Sequence, residues 1–234
     1  MIKAILFDLD GTLLPMDQDV FVKDYFGRLA GYLAPYGFEP SQLIDTIWQG
    51  TAAMMKNDGR MTNEERFWQR FAETYGSDVR EKEIYFNRYY EDIFDLVKDS
   101  CGYDPKARTT VDALRAAGYR LILATSPIFP AIATKKRIRW AGLDESDFEL
   151  VTTYENCRFT KPNLGYYRDI LSAAALAPEE CLMVGNDATE DMVAAELGMK
   201  VFLMPRDLIN RKGMDISVYP QGDFDELLQY VRII

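Results

Sequence analysis

The run Ala4-Ile5-Leu6-Phe7 is apolar without alternation, and it stops abruptly at Asp8 and Asp10. A strand with no polar face is covered on both sides, as in the interior of a parallel sheet. The chain therefore carries two carboxylates to the carboxyl end of a buried strand. Side chains two positions apart on an extended strand point the same way, roughly 6–7 Å apart at ~3.3 Å rise per residue. A phosphoryl group fits that gap. Gly11 allows a sharp turn and close backbone approach to a ligand, and Thr12 offers an amide and a hydroxyl to an anion. A plain Asp-Gly turn or a cap would explain one of the two aspartates, not both.

Beyond Pro15 the pattern becomes helical and aromatic. Phe21, Tyr25, Leu29 and Leu33 recur every four residues, as do Phe67 and Phe71 beside Trp68, and Tyr85, Tyr89 and Ile93. Breaks at residues 37–41, 57–59 and 76–78 divide the stretch into about four helices, and Thr62 with Glu65 has the spacing of a capping box. Residues 16–99 are expected to form an all-helical insert between two parts of a core, 1–15 and 100–234. At helical spacing the aromatic stripes read as the insert's own core rather than a stacking surface for a ligand.

After Pro105 the chain alternates helix and strand. Buried strands are expected at 119–124, 148–153, 181–184 and 200–203, with helices near 164–176 and 188–197 between them. This alternation implies a doubly wound parallel α/β sheet, whose ligands sit at the strands' carboxyl ends. Four residue groups stand there. Thr125 and Ser126 end one strand, where Ser126 before Pro127 also reads as a helix N-cap. Lys161-Pro162 precedes a helix. The stretch Gly185-Asn186-Asp187-Ala188-Thr189-Glu190-Asp191 follows another strand, with Asp187 and Asp191 four apart on one helical face. Asp187 with Glu190 also reads as a capping box.

Composition narrows the chemistry. The chain has no histidine, which removes Ser-His-Asp and Cys-His pairs, histidine phosphotransfer and histidine-ligated zinc. Three widely spaced cysteines form no metal-binding pair and are expected as reduced thiols. A net charge of −10, spread along the chain, argues against a nucleic-acid partner. No apolar stretch is long enough to span a bilayer. The N-terminal apolar run is short and lacks a small-residue cleavage site, so a cytoplasmic protein is expected, as a monomer or homodimer.

Asp8-Leu9-Asp10-Gly11-Thr12 resembles the first motif of the haloacid dehalogenase-like hydrolases, a superfamily made mostly of phosphatases. Thr125 and Ser126 resemble its second motif, Lys161-Pro162 its third, and residues 184–191 its acidic fourth. The resemblance implies a Rossmann-like core with a helical cap, Mg²⁺ as cofactor and a small phosphorylated metabolite as substrate. It implies Asp8 as nucleophile, Asp10 as general acid and base, and Thr125 and Lys161 as groups holding the phosphoryl oxygens. Gly11, Thr12 and Ser126 would bind phosphate. Asp8, the Asp10 carbonyl and an acid of the fourth motif would hold the metal.

That fourth motif departs from the family's usual wording, in which Asp follows Gly directly. One alignment puts Asn186 in that place and keeps Asp191, while the other slides by one and makes Asp187 the first acid. A carboxylate is the better Mg²⁺ ligand, so Asp187 is the expected metal ligand, with Asn186 and Asp191 behind it. Haloacid dehalogenases characteristically lack the second acid, because a halide needs no proton to leave, so Asp10 favours a phosphate ester. A β-phosphoglucomutase-like phosphosugar mutase shares the motifs. A phosphonoacetaldehyde-type hydrolase would need a Schiff-base lysine in the insert, where Lys23, Lys56, Lys82 and Lys98 are available but none is marked out. A non-enzymatic scaffold would not need the whole set.

Overall fold

The computed structural model describes residues 1–234. Five parallel strands, β1 (Ala4–Phe7), β2 (Arg120–Leu123), β3 (Leu150–Val151), β4 (Cys181–Gly185) and β5 (Lys200–Leu203), form one sheet in the order β3-β2-β1-β4-β5. Alternate residues face opposite sides, and both sides are covered. Ile5, Phe7, Leu123 and Val184 join one apolar cluster, and Ala4, Leu6, Ile122 and Met183 join the other. The unalternating sequence of β1 follows from this double burial.

The chain builds outward from β1 through β2 to β3, then returns to the other side of β1 for β4 and β5. The reversal lies between β1 and β4, where doubly wound sheets open a crevice at the carboxyl ends. Register aligns Phe7 with Leu123 on one side and Val184 on the other. The residues after these three strands therefore emerge at one level.

Between β1 and β2 the chain is helical: α1 (Gln18–Leu33), α2 (Pro40–Met55), α3 (Asn63–Tyr75) and α4 (Glu83–Asp92), then α5 (Pro105–Ala116) leading into the sheet. The capping box opens α3 as the spacing implies, with Glu65 N donating to Thr62 Oγ1 at 3.2 Å and Thr62 N to Glu65 Oε2 at 2.8 Å. Phe21, Tyr25, Leu29, Leu33, Trp68, Phe71 and Tyr89 are buried, as an internal core requires. The outgoing and returning segments run side by side, with Gly102 N donating to Pro15 O at 2.8 Å. Asn63 at the start of α3 ties the helices to the sheet's loops, its Nδ2 donating to Pro127 O and Phe159 O.

The remaining helices are α6 (Ala131–Trp140), α7 (Leu164–Ala174) and α8 (Phe224–Val231). Three local expectations change. The strand expected over 148–153 pairs only at Leu150–Val151. The helix expected from 188 is a 3-10 segment, Met192–Leu197, entered through a turn. Ser126 caps no helix, because α6 starts only at Ala131 with Pro130 in the capping position. No helix is long and apolar enough to cross a membrane.

Candidate active site

A cleft of about 390 Å³ opens at the strands' carboxyl ends, and Asp8, Asp10, Thr125, Ser126, Asn186, Asp187 and Asp191 all line it. Asp8 is fixed through its backbone, its N donating to Val184 O at 2.9 Å, which extends the β1–β4 ladder by one residue. Behind it Lys161, only 1 % exposed, donates to Asp8 Oδ1 at 2.9 Å and Asp191 Oδ1 at 2.6 Å. Burial works against the ammonium, but the Asp191 and Asp8 carboxylates outweigh it and raise its pKa well above the usual lysine range. A lysine enclosed in this way stays charged and holds two acids in place.

The turn after β1 lies against the turn after β4. Thr12, fully buried, donates from Oγ1 toward Asp8 Oδ2 (3.3 Å) and Asn186 Oδ1 (3.1 Å). Asn186 Nδ2 donates to Asp207 O at 2.6 Å, which orients the amide so that its oxygen faces Thr12. Gly11 adopts φ +88°, and a Cβ there would stand 2.2 Å from Asn186 Nδ2. Only glycine allows both the turn and this approach. Likewise a Cβ on Gly185 would stand 2.1 Å from Asp191 Oδ2, so the β4 turn closes onto its own acid.

Asp187 is occupied differently. Its Oδ1 accepts from Thr189 N (2.7 Å) and Glu190 N (2.9 Å), as a turn cap does. The capping box expected with Glu190 does not form, because Asp187 N donates instead to Asp191 Oδ2 at 2.9 Å. Burial pushes the half-buried Glu190 carboxyl up to about 8. Thr125 is held by its carbonyl, which accepts from Thr152 Oγ1 at 2.7 Å and Tyr166 Oη at 2.9 Å.

Asp10 has a partner that sequence reasoning missed. Arg137 of α6, 1 % exposed, pairs with Asp10 Oδ2 and lies over the Phe129 ring, 4.4 Å from its centroid. Arg137 sits in the basic run Lys135-Lys136-Arg137-Ile138-Arg139, which looks like a solvated face. Helical phase gives the signal: Arg137 is four residues from both Ala133 and Ala141, which are buried. Asp10 Oδ1 remains buried without a partner. Its pKa is raised, by burial above all and by the Asp8 charge less, against the pull of Arg137 and Lys161.

No three acidic or thiol side chains converge closely enough to hold a cation by themselves. The oxygens that do meet are the Asp8 carboxylate and the Asn186 amide oxygen, within reach of one hydroxyl, with the Asp10 backbone following at the same turn. This hard-oxygen set suits Mg²⁺, which keeps several waters and takes one or two carboxylates.

Residues 2–198 match the family model described as haloacid dehalogenase-like hydrolase. The chain is 25% identical over 244 residues to a glyceraldehyde 3-phosphate phosphatase of Methanothermobacter thermautotrophicus, covering 100% of both. It is also 25% identical over 199 residues to the pyrophosphatase PpaX of Bacillus velezensis, covering 85% of this chain and 81% of that one. Among solved structures, a HAD phosphatase from Thermococcus onnurineus superposes with a TM-score of 0.61 at 19% identity, covering 98% of each chain. A 2-haloacid dehalogenase from Pseudomonas syringae superposes at 0.65 and 19%, covering 99% of each. At that identity the superpositions speak to the fold.

Proposed function

The chain belongs to the haloacid dehalogenase-like hydrolases, and from that premise we propose that it is a Mg²⁺-dependent phosphatase of a small phosphorylated metabolite, working through an aspartyl-phosphate. The observation that carries the reading is the pair Asp8 and Asp10 in one cleft, with unlike surroundings. Asp8 is gripped by Lys161 and approached by the Thr12 hydroxyl, which suits a group that must be held in line as nucleophile. Asp10 is mostly buried, has one unpartnered oxygen and a raised pKa, which suits a group that gives and takes a proton.

In the first half-reaction an Asp8 oxygen attacks phosphorus, the ester P–O bond breaks, and the leaving alkoxide takes the Asp10 proton. In the second, Asp10 removes a proton from water as the water attacks the aspartyl-phosphate, which frees Asp8 and inorganic phosphate. Thr125, Ser126 and the amides after Asp10 would hold the phosphoryl oxygens. The Asp8 carboxylate, the Asp10 carbonyl and the Asn186 amide oxygen are the groups to hold Mg²⁺, with Asp187 in reserve. When bound, the ion neutralises oxygen charge that would otherwise repel the nucleophile.

Turnover of p-nitrophenyl phosphate by purified protein tests the reading. Activity should appear with Mg²⁺, vanish with EDTA and be absent in Asp8→Asn. Appreciable turnover by that variant, or indifference to chelation, would refute it.

A further inference from the structure

The aromatic faces of the inserted helices do not fill completely. They leave a cavity of about 100 Å³, walled mainly by apolar side chains that include Leu29, Ile47 and Trp68. Val22, Trp48, Thr51, Ile128 and Phe129 line both this cavity and the catalytic cleft, so the two share a wall. Two of the tyrosine hydroxyls at the cavity pair with each other, Tyr25 Oη with Tyr90 Oη at 2.7 Å, and its one charged residue, Glu83, pairs with Arg80 at 2.8 Å. One buried donor there, Trp68 Nε1, has no partner, and the rest of the wall is mainly apolar. The cleft side of the wall is apolar too: Trp48 and Met55 both line the cleft while remaining 49% and 54% exposed. Large apolar side chains left open at the mouth of a site mark a surface that a ligand covers.

The charges point the same way. Arg211 is the single lysine or arginine side chain that lines the cleft, against Asp8, Asp10, Asp19, Asp187, Glu190 and Asp191. A substrate with a second anionic group would find little to hold it beyond the phosphoryl site. We propose that this cavity receives the apolar end of the leaving alcohol, so that the enzyme acts on phosphate monoesters of short hydrocarbon alcohols. Specificity then comes from the shared wall rather than from hydrogen bonds to a sugar or a second phosphate. The volume sets the size, since it is smaller than the ~150 Å³ cavity that accommodates benzene. The proposal rests on the phosphatase reading above, because the alcohol leaves with the proton from Asp10 when its P–O bond breaks.

Two measurements separate this proposal from that reading. Non-hydrolysable alkylphosphonates of increasing length, titrated with Mg²⁺ and followed by tryptophan fluorescence (Trp48 and Trp68 line the cavity), report binding alone. Kd should fall about fourfold per methylene, the equivalent of ~0.8 kcal/mol of apolar burial, and level off once the cavity is full. Ile47→Phe, which adds bulk inside the cavity and away from the cleft, should flatten the series. Turnover of the matching alkyl phosphates should rise in parallel and exceed that of glyceraldehyde 3-phosphate and pyrophosphate. A Kd independent of chain length, or a preference for either of those two compounds, overturns the cavity assignment even where p-nitrophenyl phosphate is hydrolysed. Chain-length-dependent binding without turnover of any monoester supports the assignment and overturns the phosphatase reading. Should Ile47→Phe fail to fold, the series on the unmodified protein decides alone.

Discussion

Replacing Lys161 with methionine keeps the length of the side chain and removes the charge that Asp8 and Asp191 share. The ammonium and Asp191 are each 1% exposed and Asp8 is 11% exposed, at separations of 2.6 and 2.9 Å. Removing one partner of a buried ion pair costs about 3–5 kcal/mol, because the carboxylate left behind has no counter-charge. In a chain of this size each kcal/mol moves Tm by about 2–4 °C, so Lys161→Met should melt roughly 6–20 °C lower at pH 8.

The loss should also depend on pH in a definite direction. Burial already raises the pKa of Asp191 against the pull of Lys161, and the variant removes that pull. An acid whose folded pKa exceeds its unfolded value of ~3.9 binds its proton more tightly in the native state. Stability then falls as pH rises through that interval and recovers on acidification. Thermal melts at pH 5, 6.5 and 8, in EDTA so that no metal contributes, should show the deficit shrinking toward pH 5. Adding Asp191→Asn should restore part of it at pH 8. A variant within about 2 °C of the parent at pH 8, or a deficit that ignores pH, would refute the view that Lys161 neutralises two buried carboxylates.

Three further outcomes follow from the same geometry. Arg137→Met removes a guanidinium that lowers the Asp10 pKa, so the limb of the kcat–pH profile reporting Asp10 should move to higher pH. Arg137→Lys should restore most of it, and an unmoved profile would detach Arg137 from Asp10. Glu190, held up to about 8 by burial, makes stability decline as pH rises from its unfolded value of about 4.3 toward 8. Glu190→Gln should flatten that decline in urea melts, and equal slopes would contradict it. Asn186→Ala should weaken Mg²⁺ binding in calorimetry by at least about 10- to 100-fold, since even partners one layer beyond the ligands are worth that much. Asp187→Ala should weaken it less, and the opposite ranking would return the ligand role to Asp187.

The sheet was legible because burial on both faces writes itself directly into β1 and β4 as unbroken apolar runs. The two aspartates after β1 were legible because a strand's end fixes where its side chains go. The fourth motif was not. Asn186 and Asp187 are neighbours, and what separates them is the turn after β4, which spends Asp187 Oδ1 on the amides of Thr189 and Glu190. Residue types alone favour the carboxylate, and the backbone favours the amide. Arg137 escaped notice for the opposite reason, since its neighbours Lys135, Lys136 and Arg139 suggest solvent while its own helical phase points inward. The cavity among the inserted helices has no sequence signature at all. Periodicity tells which faces meet, but how completely they fill depends on how the helices cross.

The electrostatics of the cleft then bear on why the proposed reaction would call for a metal. Its two deeply buried cations are both committed, Lys161 to Asp8 and Asp191 and Arg137 to Asp10. Six acidic side chains line the space a phosphate dianion must enter, and Arg211 is the one basic side chain among the lining residues. An anion approaching these residues meets repulsion that the protein's own charges leave largely uncompensated. On the proposed reading, Asp8 would hold a divalent cation that supplies the missing charge, and a hydrated, hard-oxygen ion asks for few protein ligands. The surplus of carboxylates, the commitment of both buried cations and the oxygens gathered around the Thr12 hydroxyl are then parts of one arrangement under the proposed mechanism: Asp8 and Asp10 would act side by side, with the phosphate's charge left to an ion that arrives from solution.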